Sequence, residues 1–472
     1  MIKITINDRT FFLQEPVTVL EAAKRAGIKI PTLCHLEGLT PWGGCRLCLV
    51  EIEKIPRLQT ACTVMAADGM IVRTETEEVK RARQAILEFL LINHPLECPV
   101  CDKAGECELQ DAVLRYGPSS GRFKEGKRKT PEITTDPLIV RNMKRCILCT
   151  RCVRTCQELQ GAEALSVINR GDRSVIEPFR GERFDCDYCG NCLSACPVGS
   201  LISRLHLHEY RPWMVDTVEG VCGFCGVGCR LFIQKRGSTI IRTWTELGDS
   251  KEPNKGLTCR AGRFGYDFVI HEERLRSPFL RVGETRYSLP LEEIILKASS
   301  ALLEIKNKWG ASAIAGIGGG TLTNEDAYLF GKLIRGIGSN NIDSVARLGY
   351  LQAQLFFEEL LGPGATANRI QGIPNSEVII IAGDDPLDTT PVLGAHIRQA
   401  FRRGAIVITT DYCQGLRRHS TYQGIDIKAL TGALLDIRQD RINILPEKVK
   451  LILEAITPQL LRGPRKIVDF LG

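Results

Sequence analysis

The sequence predicts a multidomain protein, mixed α+β over roughly its first 270 residues and α/β beyond. Three observations carry this. The chain has 472 residues, more than a single core usually organises, so several domains are expected. Nineteen of its twenty cysteines fall before residue 260, in tight groups separated by short strand-like and helical runs. From residue 275 onward strand-like runs at 313–317, 378–382 and 405–410 alternate with helical stretches, the pattern of an α/β domain with a parallel sheet.

Residues 1–78 read as a small mixed domain. MIKITI alternates as a strand. Residues 18–26 have helical spacing, with Thr18 as N-cap, Glu21 three positions on as in a capping box, and Gly27 as terminator. A loop dense in Gly, Pro and Cys follows, then strands near 49–52 and 70–74. Residues 79–116 are mostly helical, with Val79, Ile86, Leu87, Leu90 and Leu91 on one face. Residues 117–131 are rich in helix breakers and carry five Lys/Arg within 122–129, read as an exposed, solvated connector. Residues 137–210 contain two cysteine runs about 30 residues apart, an internal repeat. Residues 217–272 form a further cysteine module, and 275–472 the α/β part. The glycine run at 316–320 overlaps the first α/β strand, but GIGGGT lacks the spacing of a dinucleotide fingerprint.

Twenty cysteines in a long chain with repeated C-x-x-C indicate metal rather than disulfides. Five sets emerge. Cys34, Cys45, Cys48 and Cys62 suit a 2Fe–2S cluster, which needs two thiolates on each iron. His94, Cys98, Cys101 and Cys107 suit a 4Fe–4S cluster, the neutral imidazole making the site less negative than four thiolates would. Cys146, Cys149, Cys152 and Cys156 form C-x2-C-x2-C-x3-C, and Cys186, Cys189, Cys192 and Cys196 repeat it with Pro197 after the last. That doubled run is the bacterial two-cluster ferredoxin spacing, in which each fourth cysteine ligates the other cluster. The assignment is therefore Cys146, Cys149, Cys152 and Cys196 to one 4Fe–4S cluster, and Cys186, Cys189, Cys192 and Cys156 to the other. Cys222, Cys225, Cys229 and Cys259 suit one more 4Fe–4S cluster. Structural zinc is the alternative for the first, second and fifth sets, while the doubled spacing speaks against it at the third and fourth. Cys413 is left over as an ordinary thiol.

The formal charge of +7 raises the question of nucleic acid. Ligating thiols are deprotonated, and five loaded sites would carry roughly −9, bringing the protein to roughly −2. Nucleic-acid binding is excluded on that ground. No apolar run reaches membrane-span length, and the N-terminus reads as a strand rather than a signal peptide, so the expected compartment is the cytoplasm.

PWGGCRLCLVE, NHPLECPVCDKAGECELQD and RCILCTRCVRTC resemble the large iron–sulfur subunit of respiratory complex I, and equally the N-terminal parts of NAD-linked formate dehydrogenases and multimeric iron hydrogenases. VCGFCGVGC, GLTCRAGRFGYDF and IAGDDPLDTTPV resemble the start of a molybdopterin oxidoreductase of the formate dehydrogenase type. The resemblance implies a β-grasp 2Fe–2S domain at 1–78, a His/Cys 4Fe–4S domain at 79–118 and a two-cluster ferredoxin domain at 137–210. It further implies a 4Fe–4S module at 217–272 and a truncated molybdopterin-oxidoreductase-like domain at 275–472. Two departures stand out. Where that family places a molybdenum- or tungsten-ligating cysteine or selenocysteine and then a histidine, this chain has Gly349 and Tyr350. Where the lysine linking cluster and pterin is expected, it has Ala261. Family members also run several hundred residues further, which implies an incomplete cofactor pocket, so molybdopterin is not expected.

The implied role is an electron-transfer subunit of a hetero-oligomeric NAD(P)-linked oxidoreductase (a transhydrogenase, bifurcating or complex I-like), not catalytic alone. Its implied partners are a flavin-bearing NADH-oxidising subunit, a small thioredoxin-like 2Fe–2S subunit, and a further acceptor such as ferredoxin. The alternatives are a molybdenum or tungsten formate dehydrogenase completed by another chain, and a scaffold of zinc modules.

Overall fold

The structure, a computed structural model, describes residues 1–128, 130, 132–133, 136–178, 186–248, 252–344, 369–381, 384–409, 413 and 415–425. Gly349 and Tyr350 lie outside the described residues. The described residues form two compact units: those up to Tyr266 with those from Ile370 on, and those from 267 to 344 with Arg369.

The first unit begins with strands β1 (Ile2–Ile6) and β2 (Arg9–Leu13) and helix α1 (Val19–Arg25), followed by β3 (Leu49–Ile52), β4 (Gln59–Thr60) and β5 (Met70–Arg73). The strands make one sheet in the order β2-β1-β5-β3-β4, with β1 parallel to β5 and antiparallel to β2. The alternation of MIKITI sends Ile4 and Ile6 into the core with Val19, Ala22 and Ala23 of α1. Thr18 accepts from the Glu21 N–H at 3.2 Å. The Glu21 carboxylate, however, takes Arg25 at 2.9 Å, so its side chain is engaged one helical turn on.

Helices α2 (Glu77–Asn93) and α3 (Glu108–Tyr116) pack together around the loop that carries the second cysteine set. Val79 and Leu87 of α2 are buried and Ile86 and Leu90 pack beside the core. The basic connector is exposed along its backbone but anchored by its charges. Arg122 forks onto the buried Glu88 at 2.6–3.0 Å, and Lys127 caps α2 through Leu91 O at 2.8 Å. The run is thus partly a strap over α2 rather than a solvated loop, because Glu88 on the helix needs a cation and the α2 C-terminus needs donors.

Next come β6 (Glu132–Ile133), β7 (Ile139–Asn142), α4 (Arg151–Arg154) continuing as a π-helical turn (Thr155–Gln160), β8 (Ser166–Ile168), β9 (Val175–Glu177), α5 (Asn191–Ala195) and β10 (Leu201–Ser203). β7 is the centre of a sheet ordered β10-β7-β6. The antiparallel sheet β11 (Asp216–Val221), β12 (Arg230–Arg236) and β13 (Thr239–Trp244) then leads to helix α6 (Arg260–Phe264).

In the second unit, the hairpin β14 (Phe279–Val282) and β15 (Thr285–Ser288) precedes α7 (Leu291–Trp309), β16 (Gly316–Gly318), α8 (Asn324–Ile337) and β17 (Ile342–Ser344), with β16 parallel to β17. The expected strand starts later than the apolar run suggested. A single 3-10 turn at Ala311–Ala313 occupies the start, and Gly316 is needed where α8 crosses: a Cβ there would stand 2.6 Å from Phe330 and 2.7 Å from Ile334. That glycine is explained by packing.

Beyond residue 370 the chain returns to the first unit with β18 (Val378–Ile381), α9 (Pro386–Thr389), α10 (Pro391–Arg402) and β19 (Ile406–Thr409), β18 and β19 being parallel. Val392 and Ala395 of α10 pack with Val227 and Leu257. Gln399 donates to Leu159 O at 2.6 Å. Among the described residues no helix is long and apolar enough to cross a membrane.

Candidate metal centres

In the first set the thiols come in pairs. The Cys45 N–H donates to Cys34 Sγ at 3.4 Å, and Cys48 Sγ to Cys62 Sγ at 3.4 Å. Cys34, Cys48 and Cys62 are buried. Donation from Cys45 holds the Cys34 thiol far below its ordinary range, with the N–H groups of Cys45 and Gly44 and the charge of Arg154 assisting. Donation from Cys48 lowers Cys62 in the same way. The donors Cys45 and Cys48 are pushed up in turn, so each pair holds one proton until a metal displaces it. Two thiol pairs match a donor set for two irons. Gly44 permits the loop: a Cβ there would sit 2.3 Å from Trp42 Nε1.

His94 caps the C-terminus of α2 and Cys107 the N-terminus of α3, with Cys98 and Cys101 in the connecting turn. Burial pushes the His94 imidazole down to about 4, so it is neutral near pH 7, and its buried Nδ1 has no protein partner. A neutral ring with a free nitrogen is what a metal-binding histidine requires. Burial raises Cys107 to about 11, and the neighbouring Cys101 thiol adds to this. Gly199 makes room for Cys101, whose Sγ would stand 2.3 Å from a Cβ at that position.

The third and fourth sets show the exchange of fourth cysteines. Cys146, Cys149, Cys152 and Cys196 line one cavity. Cys156, Cys186, Cys189 and Cys192 line another. The two runs also repeat in backbone. Leu148 and Tyr188 have φ of 52° and 51°, Thr150 and Gly190 of 60° and 69°. The N–H groups of Leu148 and Tyr188 donate to Cys146 and Cys186 Sγ at 3.4 and 3.2 Å. Left-handed turns aim N–H groups and thiols inward together, as an anionic guest requires. Burial raises Cys146 to about 11 and Cys149 and Cys189 to about 12, and adjacent thiols deepen the cost of ionising them without a metal. The donor chemistry and the cavities fit cubane clusters; a single zinc ion would draw four sulfurs to about 2.3 Å from one point.

In the fifth set Cys222, Cys225 and Cys229 lie between β11 and β12, and Cys259 caps α6. The Cys222 N–H donates to Cys229 O at 2.8 Å. Burial raises Cys229 to about 12, with Cys222, Cys259 and Cys225 contributing. Gly262 lies between the thiols, a Cβ there reaching Cys222 Sγ at 3.7 Å and Cys259 Sγ at 4.0 Å. Ala261 is at the second position of α6 and brings no charge. Cys413 lies apart, packed with Ile381, Ile397, Val407 and Leu416.

Spacing did not reveal the buried arginines that join the sets. Arg145, beside Cys146, pairs with Glu97, beside Cys98, at 3.0 Å. Arg151 forks onto Glu108 of α3 at 2.5 and 2.8 Å. Arg154 donates to the carbonyls of Cys34, Thr40 and Cys149. Arg398 of α10 binds Asp187, next to Cys186, at 2.6 Å. The available signal was position: Arg145, Arg151 and Arg154 stand within two residues of a cysteine of the candidate sets.

Family models match along the chain. The 2Fe-2S iron-sulfur cluster binding domain matches residues 1–77, and the NADH-ubiquinone oxidoreductase-G iron-sulfur binding region 83–122. The ferredoxin-like domain of NADH-quinone oxidoreductase subunit 3 matches 136–202. The molybdopterin oxidoreductase Fe4S4 domain matches 215–271 and molybdopterin oxidoreductase 274–450. The chain is 38% identical over 386 residues to NADPH-Fe(3+) oxidoreductase subunit alpha of Geobacter sulfurreducens, covering 82% of this chain and 45% of that one. It is 36% identical over 454 residues to an NADH-quinone oxidoreductase subunit of Rhizobium meliloti, covering 93% and 52%. It is 31% identical over 449 residues to the NADH-ubiquinone oxidoreductase 75 kDa subunit of Reclinomonas americana, covering 93% and 64%. The chain thus spans about half the length of the first two relatives. It carries 2Fe–2S and 4Fe–4S binding domains, and its domain matches and relatives support the complex I G-subunit-like family of iron–sulfur large subunits, that of the 75 kDa subunit.

Proposed function

We propose that this chain is an iron–sulfur electron-transfer subunit of a multi-subunit NAD(P)H-linked oxidoreductase, with no pterin chemistry of its own. The observation that carries the reading is the pair of cavities in which the fourth cysteine of each run faces the other run's three. Cys34, Cys45, Cys48 and Cys62 would hold a 2Fe–2S cluster. Four 4Fe–4S clusters would be held by His94 with Cys98, Cys101 and Cys107; by Cys146, Cys149, Cys152 and Cys196; by Cys186, Cys189, Cys192 and Cys156; and by Cys222, Cys225, Cys229 and Cys259. Such clusters supply one-electron storage at potentials set by charge, hydrogen bonds to sulfur and exposure. The chain's own residues hold the thiols in place, direct N–H groups at sulfur and bury the sites from water.

The partners we propose, on the resemblance to complex I, are a flavin-bearing NADH-oxidising subunit, a small thioredoxin-like 2Fe–2S subunit and a further acceptor such as ferredoxin. The naming of the relatives as subunits of NADH-quinone and NADPH-Fe(3+) oxidoreductases supports a hetero-oligomer with other redox subunits. We place the assembly in the cytoplasm. The test is anaerobic purification with metal analysis. One 2Fe–2S and four 4Fe–4S clusters give roughly eighteen irons per chain. A colourless zinc protein would end the reading, as would formate oxidation or NAD(P) reduction by the chain alone.

The match of 274–450 to molybdopterin oxidoreductase favours a second reading, a formate dehydrogenase subunit completed by another chain. About one molybdenum or tungsten per chain would establish it. Gly349 and Ala261, at the positions of the metal-ligating and relay side chains, weigh toward the electron-transfer reading.

A further inference from the structure

We infer that Arg263 is a positioning residue for electron transfer: a buried guanidinium shared between the fourth and fifth cysteine sets, which raises the reduction potentials of the clusters held there. The inference rests on the cluster assignment proposed above and adds to it a group outside every ligand set.

The placement is specific. Arg263 lies four residues after Cys259 on α6, its N–H bonded to Cys259 O at 2.9 Å. Its side chain leaves the fifth set and crosses the loop of the fourth. Gly190, between Cys189 and Cys192, opens the way: a Cβ there would meet Arg263 Cγ at 2.6 Å and Nε at 3.1 Å. The φ of Gly190 is +69°, which independently favours glycine. The matching position of the first run is Thr150, so the repeat departs where the arginine passes.

The guanidinium is fixed by neutral groups. Nη1 donates to Thr243 O at 2.9 Å, and Nη2 to Ser194 Oγ at 2.9 Å and Thr245 Oγ1 at 2.8 Å. Ser194 is on α5, the helix that carries Cys192. None of these acceptors is a carboxylate. The Nε–H, on the side of the Gly190 loop, has no protein partner, although the residue is only 4% exposed. Burying an uncompensated guanidinium costs several kcal/mol. Burial works against its charge, and the groups that favour it are the Trp244 ring, 5.4 Å away, and sulfurs of both sets, Cys189, Cys192 and Cys259. Four-thiolate clusters are anionic, so loading the two sites gives the cation its counter-charge. A fixed positive charge beside a cluster stabilises the added electron and moves the potential upward. Arg242 adds positive charge nearby, but it is paired with Glu106.

The experiment is an EPR-monitored dithionite titration of the whole, anaerobically loaded chain, native and with Arg263→Gln or Arg263→Lys. Arg263→Gln is expected to lower two of the 4Fe–4S midpoints, each so that the reduced-to-oxidised ratio at fixed potential falls about tenfold, equivalent to about 59 mV for one electron. The other three midpoints stay in place, and Arg263→Lys recovers most of the shift. Unchanged midpoints in a fully iron-loaded Arg263→Gln protein would overturn the inference, as would equal displacement by both variants. If Arg263→Gln loses iron at the two sites, Arg263→Lys decides. Loading with near-native midpoints supports the charge, and iron loss there assigns the residue to packing. A native chain without roughly eighteen irons fails at the cluster assignment, before any variant is made.

Discussion

The guanidinium of Arg154, on α4, donates to the main-chain carbonyl of Cys34, a residue 120 positions earlier in the first cysteine loop. The same group reaches Thr40 O at 2.7 Å and Cys149 O at 3.5 Å, and stands 5.9 Å from the Trp42 ring. One buried cation therefore joins the loop of the first set to that of the third. Arg154→Met keeps the bulk and removes the donors. Three carbonyls lose their partner, at a cost on the order of 3 kcal/mol. The expected result is a lower thermal midpoint by calorimetry and early loss of the 2Fe–2S EPR signal. Native stability with a native signal would show that the bridge is dispensable.

Acid sensitivity follows from two histidines that belong to no ligand set. Burial pushes His206 and His396 down to about 4 each, against about 6.5 unfolded. The unfolded chain binds more protons between those values, so this contribution to stability is complete above pH 6.5 and disappears as the pH falls toward 4. Between pH 7 and pH 5 each ring costs about 2 kcal/mol. His396→Asn should halve that part of the pH dependence, read as the difference between variant and native denaturation midpoints at the two pH values. Parallel pH profiles would refute it.

Much of this was open to reading in the chain itself, and the reason is local. Three donors of each proposed set mostly stand a few residues apart, so spacing picked the sets out, although Cys62, Cys156, Cys196 and Cys259 close theirs from further off. The crossing of Cys156 and Cys196 between cavities follows from the repeat, and Thr18 caps α1 because capping is decided within three residues. What spacing cannot encode is long-range partnership. The bond from Gln399 to Leu159 spans 240 positions, and nothing near either residue signals that α10 packs beside the π-helical turn of the ferredoxin repeat. The anchoring of Arg122 on Glu88 was hidden for the same reason. A basic run in a breaker-rich segment looks solvated until the buried carboxylate opposite it is known.

Cys413 provides a control for the whole assignment. It is buried among Ile381, Ile397, Val407 and Leu416, with its Sγ 3.9 Å from Asp384 O. A thiol there acts as a small apolar group. Cys413→Ser should leave the iron content and every EPR signal unchanged while lowering stability by about 1 kcal/mol, measured by thermal melting. Iron loss in this variant would mean that the ligand sets are misassigned.

The last prediction concerns Asn191, which is fully buried on α5 beside Cys192. Its Nδ2 donates to Thr258 O at 3.2 Å and its Oδ1 accepts from the Thr258 N–H at 3.1 Å, so one side chain grips the residue preceding Cys259. Nδ2 also donates to Gln160 Oε1 at 3.0 Å, and Gln160 in turn donates to Asp187 beside Cys186 at 2.9 Å. The loops of the fourth and fifth sets are thus held in one hydrogen-bonded chain. Asn191→Leu preserves volume and breaks three of its links. It leaves the Thr258 N–H and carbonyl and the Gln160 amide oxygen buried without partners, at roughly 3–5 kcal/mol in total. Because the loss falls on two sets only, iron should drop from about eighteen toward about ten per chain. The 2Fe–2S signal and those of the second and third sets should persist. Uniform loss of all signals would instead show that Asn191 supports the fold at large, and full retention would show that the cysteines alone hold both loops.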